Sequence, residues 1–161
     1  MEELPGRPCS IAGALQVVGD RWALLVVREV SFGNHRFSAI ARNTGAPRDR
    51  LTVRLNGLVE AGVLERRPYS TAPPRSEYHL TEAGQDLLPV LQALLQWGDR
   101  WVAAEPPVIL RHHDHPIDGV WTCRTCGEHA ADFTIERTPI AAGWNFAGPR
   151  PAATVAHPDP P

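Results

Sequence analysis

The stretch from Pro47 to Thr81 constrains the fold of this chain more than any other, because a helical period gives way within a few residues to a strand period. Pro47-Arg48-Asp49-Arg50-Leu51-Thr52-Val53-Arg54-Leu55-Asn56-Gly57-Leu58 opens on a proline. A first helical turn accepts proline, since the N–H it lacks would be unpaired there anyway. Leu51, Leu55, Leu58 and Gly62 recur at i, i+4, i+7 and i+11 and predict one buried stripe. Asp49, Val53, Asn56 and Glu60 fall on the opposite face, flanked by Arg50 and Thr52. Val63 to Tyr69 and Ser76 to Leu80 then read as two strands joined by a turn rich in Pro73-Pro74-Arg75. A helix with an Arg- and Thr-bearing outer face suits the major groove of DNA. Followed directly by a basic hairpin, it is the plan of a winged helix.

The flanking segments agree with that plan. Phe37-Ser38-Ala39-Ile40-Ala41-Arg42-Asn43-Thr44 predicts a short helix closed by Gly45, and the brief turn Gly45-Ala46 joins it to the Pro47 helix as a helix-turn-helix. Upstream, Cys9 to Gly19 reads as a short helix with Ser10 as a candidate N-cap. Asp20 is a candidate cap for Arg21 to Val30, whose apolar run also fits a buried strand; its length and the cap favour helix. Thr81 caps a predicted long helix from Glu82 to about Val102, with a kink at Pro89. Leu87, Leu91, Leu94, Gly98 and Trp101 form one stripe on it, with Leu88, Leu95 and Val102 beside them. Two stripes exceed what one small domain covers and point to a partner helix, unless the helix is sunk deep in its own fold. The fold class expected is mainly α with a small β-hairpin wing. Residues 1–103 would form the winged helix-turn-helix and 104–161 a zinc-knuckle-like or irregular extension.

At 161 residues the chain holds one well-buried domain and an appendage. No apolar run approaches the roughly 20 residues of a membrane span, and the acidic start Met1-Glu2-Glu3 lacks a signal peptide's basic region, so a cytoplasmic location with no membrane partner is expected. Three cysteines, an odd number, argue against a secreted disulfide framework. The net charge of −2 conceals a division: residues 28–75 carry nine Arg against four acids, and residues 76–161 carry five Arg against eleven acids. Positive charge therefore gathers where the helix and hairpin lie, and phosphates respond to that local field.

Nine of the 16 prolines lie in residues 106–161, and Pro139 to Pro161 is rich in Pro, Ala and Gly, a composition that predicts no packed core, although Trp144 and Phe146 could dock on a neighbour. Trp121-Thr122-Cys123-Arg124-Thr125-Cys126-Gly127 is a CxxCG knuckle, with Phe133-Thr134-Ile135 reading as a strand after it. Cys123 and Cys126 could share a structural zinc with two of His112, His113, His115 and His129, since a closed tetrahedral site needs four ligands. Free thiols or a vestigial site fit the same residues, and a redox dithiol fits less well because Gly127 comes directly after the motif.

Residues 9–101 resemble the HxlR family of bacterial winged helix-turn-helix regulators. The match rests on Cys9, Gly19-Asp20-Arg21-Trp22, Phe32-Gly33, Arg36-Phe37-Ser38, Leu51-Thr52-Val53-Arg54-Leu55, Glu60-Ala61-Gly62-Val63-Leu64, Glu77 to Gly84 and Gln96-Trp97-Gly98, in that order. The resemblance implies a sequence-specific regulator, a homodimer held by its terminal helices, with two recognition helices in successive major grooves of a near-palindromic operator. Carried onto this chain, it makes Arg48, Asp49, Arg50, Thr52 and Val53 the base-reading candidates. Ser38, Arg54, Arg66, Arg67 and Arg75 would contact phosphates, with Arg75 also placed to reach the minor groove; an internal ion pair is the competing role for Arg54. Leu15, Leu91, Leu94, Trp97, Gly98 and Trp101 are the dimerisation candidates. Some relatives sense oxidants through a cysteine at the position of Cys9; the competing reading is a buried structural thiol. No cofactor is required by this reading, and the effector is open. A protein-interaction adaptor, with the winged helix as scaffold and the CxxC segment as partner site, is the alternative. No nucleophile–base pairing or phosphate-binding loop points to an enzyme.

Overall fold

A computed structural model of the chain describes residues 7–131, 135–140 and 142–148. Among them, Ala14–Gly119 form one compact unit, and residues up to Gly13 gather with those from Val120 onward in a second. By compactness, residues 104–119 thus go with the winged helix and not with the knuckle segment after them.

The described chain follows the order α1 (Ser10–Val18), α2 (Arg21–Ser31), α3 (Phe37–Thr44), α4 (Arg48–Glu60), β1 (Leu64–Thr71), β2 (Pro74–Leu80), α5 (Glu82–Gln85) and α6 (Leu88–Trp101), then a small hairpin of β3 (Arg111–His112) and β4 (His115–Pro116), the unit boundary falling within α1. The apolar run of α2 is helical and central: it touches α3, α4, β2 and α6, and buries Ala23, Val26, Val27 and Val30. It begins as its sequence requires, with Asp20 accepting the Trp22 N–H through Oδ1 at 2.8 Å. Ser10 does not cap α1. It is the first helical residue, and the Cys9 carbonyl accepts the Gly13 N–H at 3.1 Å.

The stripe of α4 is buried as its spacing demands. Leu51, Leu55 and Leu58 are fully enclosed, each contributing about 1.5–3 kcal/mol relative to exposure. Gly62 is not part of that stripe. The helix ends at Glu60, and Gly62 turns the chain toward β1 at φ 71, a conformation open to glycine. Pro47 stands one position outside α4 as its N-cap residue, its carbonyl accepting the Leu51 N–H at 2.8 Å. Gly45, at φ 68, closes α3 and makes the turn between the two helices.

The wing is longer than its sequence signal. Pro74 and Arg75 belong to β2, so the turn narrows to Ala72-Pro73, and a bulge between Pro68 and Ser70 re-aims the end of β1. A third edge joins it: the Tyr78 N–H donates to the His35 carbonyl at 2.9 Å, and Arg36 bridges Glu77. Beyond the wing, Thr81 caps α5 by accepting the Gly84 N–H. Gly84 is obligatory by contact, since a Cβ there would lie 2.3 Å from the Val63 carbonyl oxygen.

The single kinked helix expected from Glu82 to Val102 is two helices. The chain breaks at Asp86-Leu87, and Pro89 falls in the opening turn of α6, where a missing N–H costs no hydrogen bond. Leu87, Leu88 and Leu91 pack on the core, whereas Val90, Leu94, Trp97 and Trp101 are exposed, as is Leu15 on α1. Part of the helix thus covers its own domain, and an apolar face is left over. No single helix among the described residues is long and apolar enough to cross a membrane.

Candidate nucleic-acid interface

The outer surface of α4 carries the residues expected there. Arg48, Asp49, Arg50, Thr52 and Val53 are all exposed, Val53 by 67% despite its apolar side chain. Arg50 has no hydrogen-bond or ion-pair partner among the described residues, so its guanidinium is free to fork onto an acceptor pair. Thr52 uses its hydroxyl within the helix, donating to the Arg48 carbonyl at 2.8 Å. The Arg48 guanidinium lies over the Phe37 ring, 5.2 Å from its centroid, and so leans toward α3.

Between the start of α3, the start of α4 and the wing lies an open cleft of about 570 Å³. Arg36, Arg48, Arg66 and Arg75 line it together with Ser38 and Tyr69. Arg36, Arg48 and Arg66 are each oriented by a neighbour. Arg36 donates through Nε to Glu77 at 3.0 Å and stacks over Tyr69 at 4.7 Å. Arg66 bonds the Asn56 side chain of α4 and covers the Tyr78 ring at 5.5 Å. Arg67 is held by Glu65 through Nε at 2.8 Å. Arg75 is exposed at the wing tip and Ser38 in the first turn of α3, whose outward N–H groups favour anions. The Arg36 hydrogen bond keeps the Glu77 carboxyl below the usual carboxylate range. His35 stacks on His79 at 4.1 Å beneath this edge, its Nδ1 2.9 Å from the Tyr78 carbonyl oxygen.

Arg54 does not belong to this surface. It is only 24% exposed and pairs through Nη2 with Asp20 Oδ2 at 3.1 Å, tying α4 to the cap of α2, and a phosphate role does not fit that placement. Its Nε is the one buried side-chain nitrogen or oxygen without a partner among the described residues. Arg36 and Tyr69 are the converse: they line the cleft, but local spacing gives no sign of it, because Arg36 reaches the wing through Glu77, 41 positions away.

In the second unit, Trp121 to Ala130 make a tight turn. The Gly127 N–H donates to the Cys123 carbonyl at 2.8 Å, Cys123 to Glu128 at 2.9 Å and Ala130 to Trp121 at 2.8 Å, with Thr122 bridging His129. Ile135 is not in a strand, and Phe133 and Thr134 lie outside the described residues. Phe146 is exposed, its carbonyl accepting from Arg7 at 2.6 Å, and Trp144 is half-buried. Cys9 is exposed, so the buried structural reading of that thiol does not hold in this chain. Among the described residues, no three His, Cys, Asp or Glu side chains stand close enough together to hold a metal ion. The knuckle supplies two thiolates of the four ligands a structural zinc needs, while His113 and His115 fall in the other compact unit.

The N–H groups of Cys126 and then Thr125 point at the Cys123 sulfur and lower its pKa to about 7. Because the thiolate is the nucleophile, alkylation of Cys123 by iodoacetamide should show a midpoint near pH 7 in the native protein. In denaturant the midpoint should rise to about 8.5, read by mass spectrometry of the Cys123 peptide. The same midpoint in both states would mean that the turn does not activate the sulfur.

The arrangement of α3, turn, α4 and a hairpin hydrogen-bonded to the segment before α3 is a winged helix-turn-helix. Residues 17–106 match the model of the HxlR-like helix-turn-helix family, more than half of the chain, and the chain belongs to that family. It is similar to an HTH-type transcriptional regulator of Mycobacterium tuberculosis, 49% identical over 123 residues that cover 75% of this chain and 71% of the relative. Among solved structures it is similar to PA1607, a candidate transcription factor, at a TM-score of 0.70 and 30% identity over 81% of this chain and 94% of that one. It is also similar to PA1374 of Pseudomonas aeruginosa, at a TM-score of 0.59 and 35% identity over 83% and 95% of the two chains. The chain is a regulator of the helix-turn-helix type.

Proposed function

We propose that this protein is a sequence-specific binder of double-stranded DNA that acts as a homodimer on a near-palindromic operator. The observation that carries the reading is the cleft lined by Arg36 at the N-cap of α3, Arg48 of α4, and Arg66 and Arg75 of the wing, with Arg50 exposed and unpaired elsewhere on α4. Arg50, with Arg48, Asp49, Thr52 and Val53, reads base edges from the major groove; a free guanidinium matches guanine O6 and N7, and the Val53 methyls match a thymine methyl. Ser38, Arg36, Arg66 and Arg67 position the protein on phosphates, and Arg75 at the wing tip reaches toward the minor groove. The exposed apolar face of Leu94, Trp97 and Trp101, with Leu15, supports pairing with a second copy. A two-fold axis would then place two α4 helices one DNA turn apart. This function needs no catalysis and no cofactor; a zinc held by the knuckle would be structural.

Fluorescence anisotropy on DNA upstream of the protein's own gene, with random competitor and a salt series, tests the reading. Tight binding that survives competitor and weakens steeply with salt is the expected result. Salt-insensitive binding to a protein partner, with no preference among DNA sequences, would instead identify an adaptor.

A further inference from the structure

The first unit holds a second, half-open cavity that shares no lining residue with the arginine cleft. It lies between the end of α2, α6 and residues 107–110, with a volume of about 530 Å³, within the usual range for small-molecule sites. Its walls are mostly apolar, formed by Phe32, Leu91, Leu95 and Val108, while Arg28, Glu29, Ser31 and Gln92 supply polar groups. Arg28 commits Nε and Nη2 to a single oxygen of Glu29, at 3.0 and 2.7 Å. Its Nη1 has no partner among the described residues, and Gln92 is exposed and likewise uncommitted.

Glu29 makes this cavity more than a gap in packing. It is 4% exposed, and its second oxygen accepts from Asn34 at 2.8 Å and from Asn43 at 2.9 Å. Asn43 lies in the last turn of α3, just before the Gly45-Ala46-Pro47 turn that sets α4. One buried carboxylate thus joins the cavity wall to the helix-turn-helix.

We infer that the cavity is an effector site for a small amphipathic organic anion, its apolar body on α6 and its acidic group on Arg28 and Gln92. Occupancy reaches α4 through Arg28, Glu29 and Asn43, because an acid that draws Arg28 away from Glu29 changes the partner that orients Asn43. The anion is favoured over a neutral ligand because Arg28 keeps its Nη1 donors uncommitted, and Glu29, which pairs with the rest of that guanidinium, already has two amides on its other oxygen. The coupling rests on the DNA-binding reading; the site does not.

The probe is anilinonaphthalene sulfonate, an aromatic anion that fluoresces in apolar surroundings, compared with uncharged phenylnaphthylamine on the full chain. One saturable site per chain is expected for both dyes. Arg28→Gln should weaken the sulfonate on the order of tenfold and leave the neutral dye unchanged. Ser31→Trp and, independently, Gln92→Trp fill the cavity from exposed positions and should abolish both signals. Folded Trp variants that bind as the parent does, or Arg28→Gln weakening both dyes alike, would overturn the site. The sulfonate should also shift operator affinity by roughly fivefold or more in the parent and not in Asn43→Ala. Dye bound without effect on DNA would overturn the coupling alone. A chain that binds no DNA would overturn the regulator reading and the coupling, while the dye titration still decides the site.

Discussion

Replacing Trp97 by Asp is expected to leave the fold intact, abolish the proposed homodimer and lower affinity for a two-half-site operator by roughly 10²–10⁴-fold. Trp97 is 57% exposed in the single chain, and Leu94 and Trp101 beside it are exposed as well, so the chain's own core loses little when the indole is removed. Across a two-fold axis, however, a carboxylate would be buried in an apolar interface without a cation, at a cost of several kcal/mol. The loss on DNA follows from geometry. In the proposed dimer, two joined α4 helices would bind the second half-site as an intramolecular event, and separate monomers would lose that advantage with every DNA contact still present. Light scattering of the free protein and anisotropy on whole and half operators separate the effects. Equal affinity of parent and variant for a half-site, with loss confined to the whole operator, is the expected pattern. A variant that remains dimeric would place the subunit contact elsewhere than on this face of α6.

Arg50→Ala is expected to cost about 1–3 kcal/mol on the cognate operator and relax its sequence preference at one position per half-site. Arg50 is exposed in the first turns of α4 and paired with nothing among the described residues, so truncation should leave stability almost unchanged. Arg66→Ala makes the informative contrast. That side chain is already tied to Asn56 and stacked over Tyr78, so it behaves as a positioned charge. Its loss should weaken all sequences alike and reduce the salt dependence by about one charge. Anisotropy on a panel of single-base operator variants distinguishes the two. A uniform loss for Arg50→Ala would make it a phosphate contact and move base reading to Arg48 or Val53.

Much of this interface is visible in residue order. The Leu51, Leu55, Leu58 spacing commits one face of α4 to the core and therefore Asp49, Arg50, Thr52 and Val53 away from it, because a helix with 3.6 residues per turn has no other arrangement; Arg48 falls on the leucine side and is exposed because it opens the helix. The Asp20 and Thr81 caps are legible for the same reason: each answers N–H groups two or three positions ahead. Pro89 is harder to place. A proline inside an apolar period reads equally as a kink or as a start, and packing of Leu87, Leu88 and Leu91 on the core selects a break before it.

Residue order alone thus sets the buried and outer faces of α4 and the Asp20 and Thr81 caps, all products of interactions within about four positions; it misplaces the cap of α1 and the width of the wing turn. Which charges meet across longer separations is settled by packing. Asp20 draws Arg54 inward over 34 positions, Glu77 holds Arg36 out in the cleft over 41, and Asn43 reaches Glu29 over 14. The residue type is the same in Arg54 and Arg36, and both lie in a basic stretch. Their fates differ because the angle at which α2 crosses α4 and the wing meets α3 selects each partner, and no local period encodes that angle.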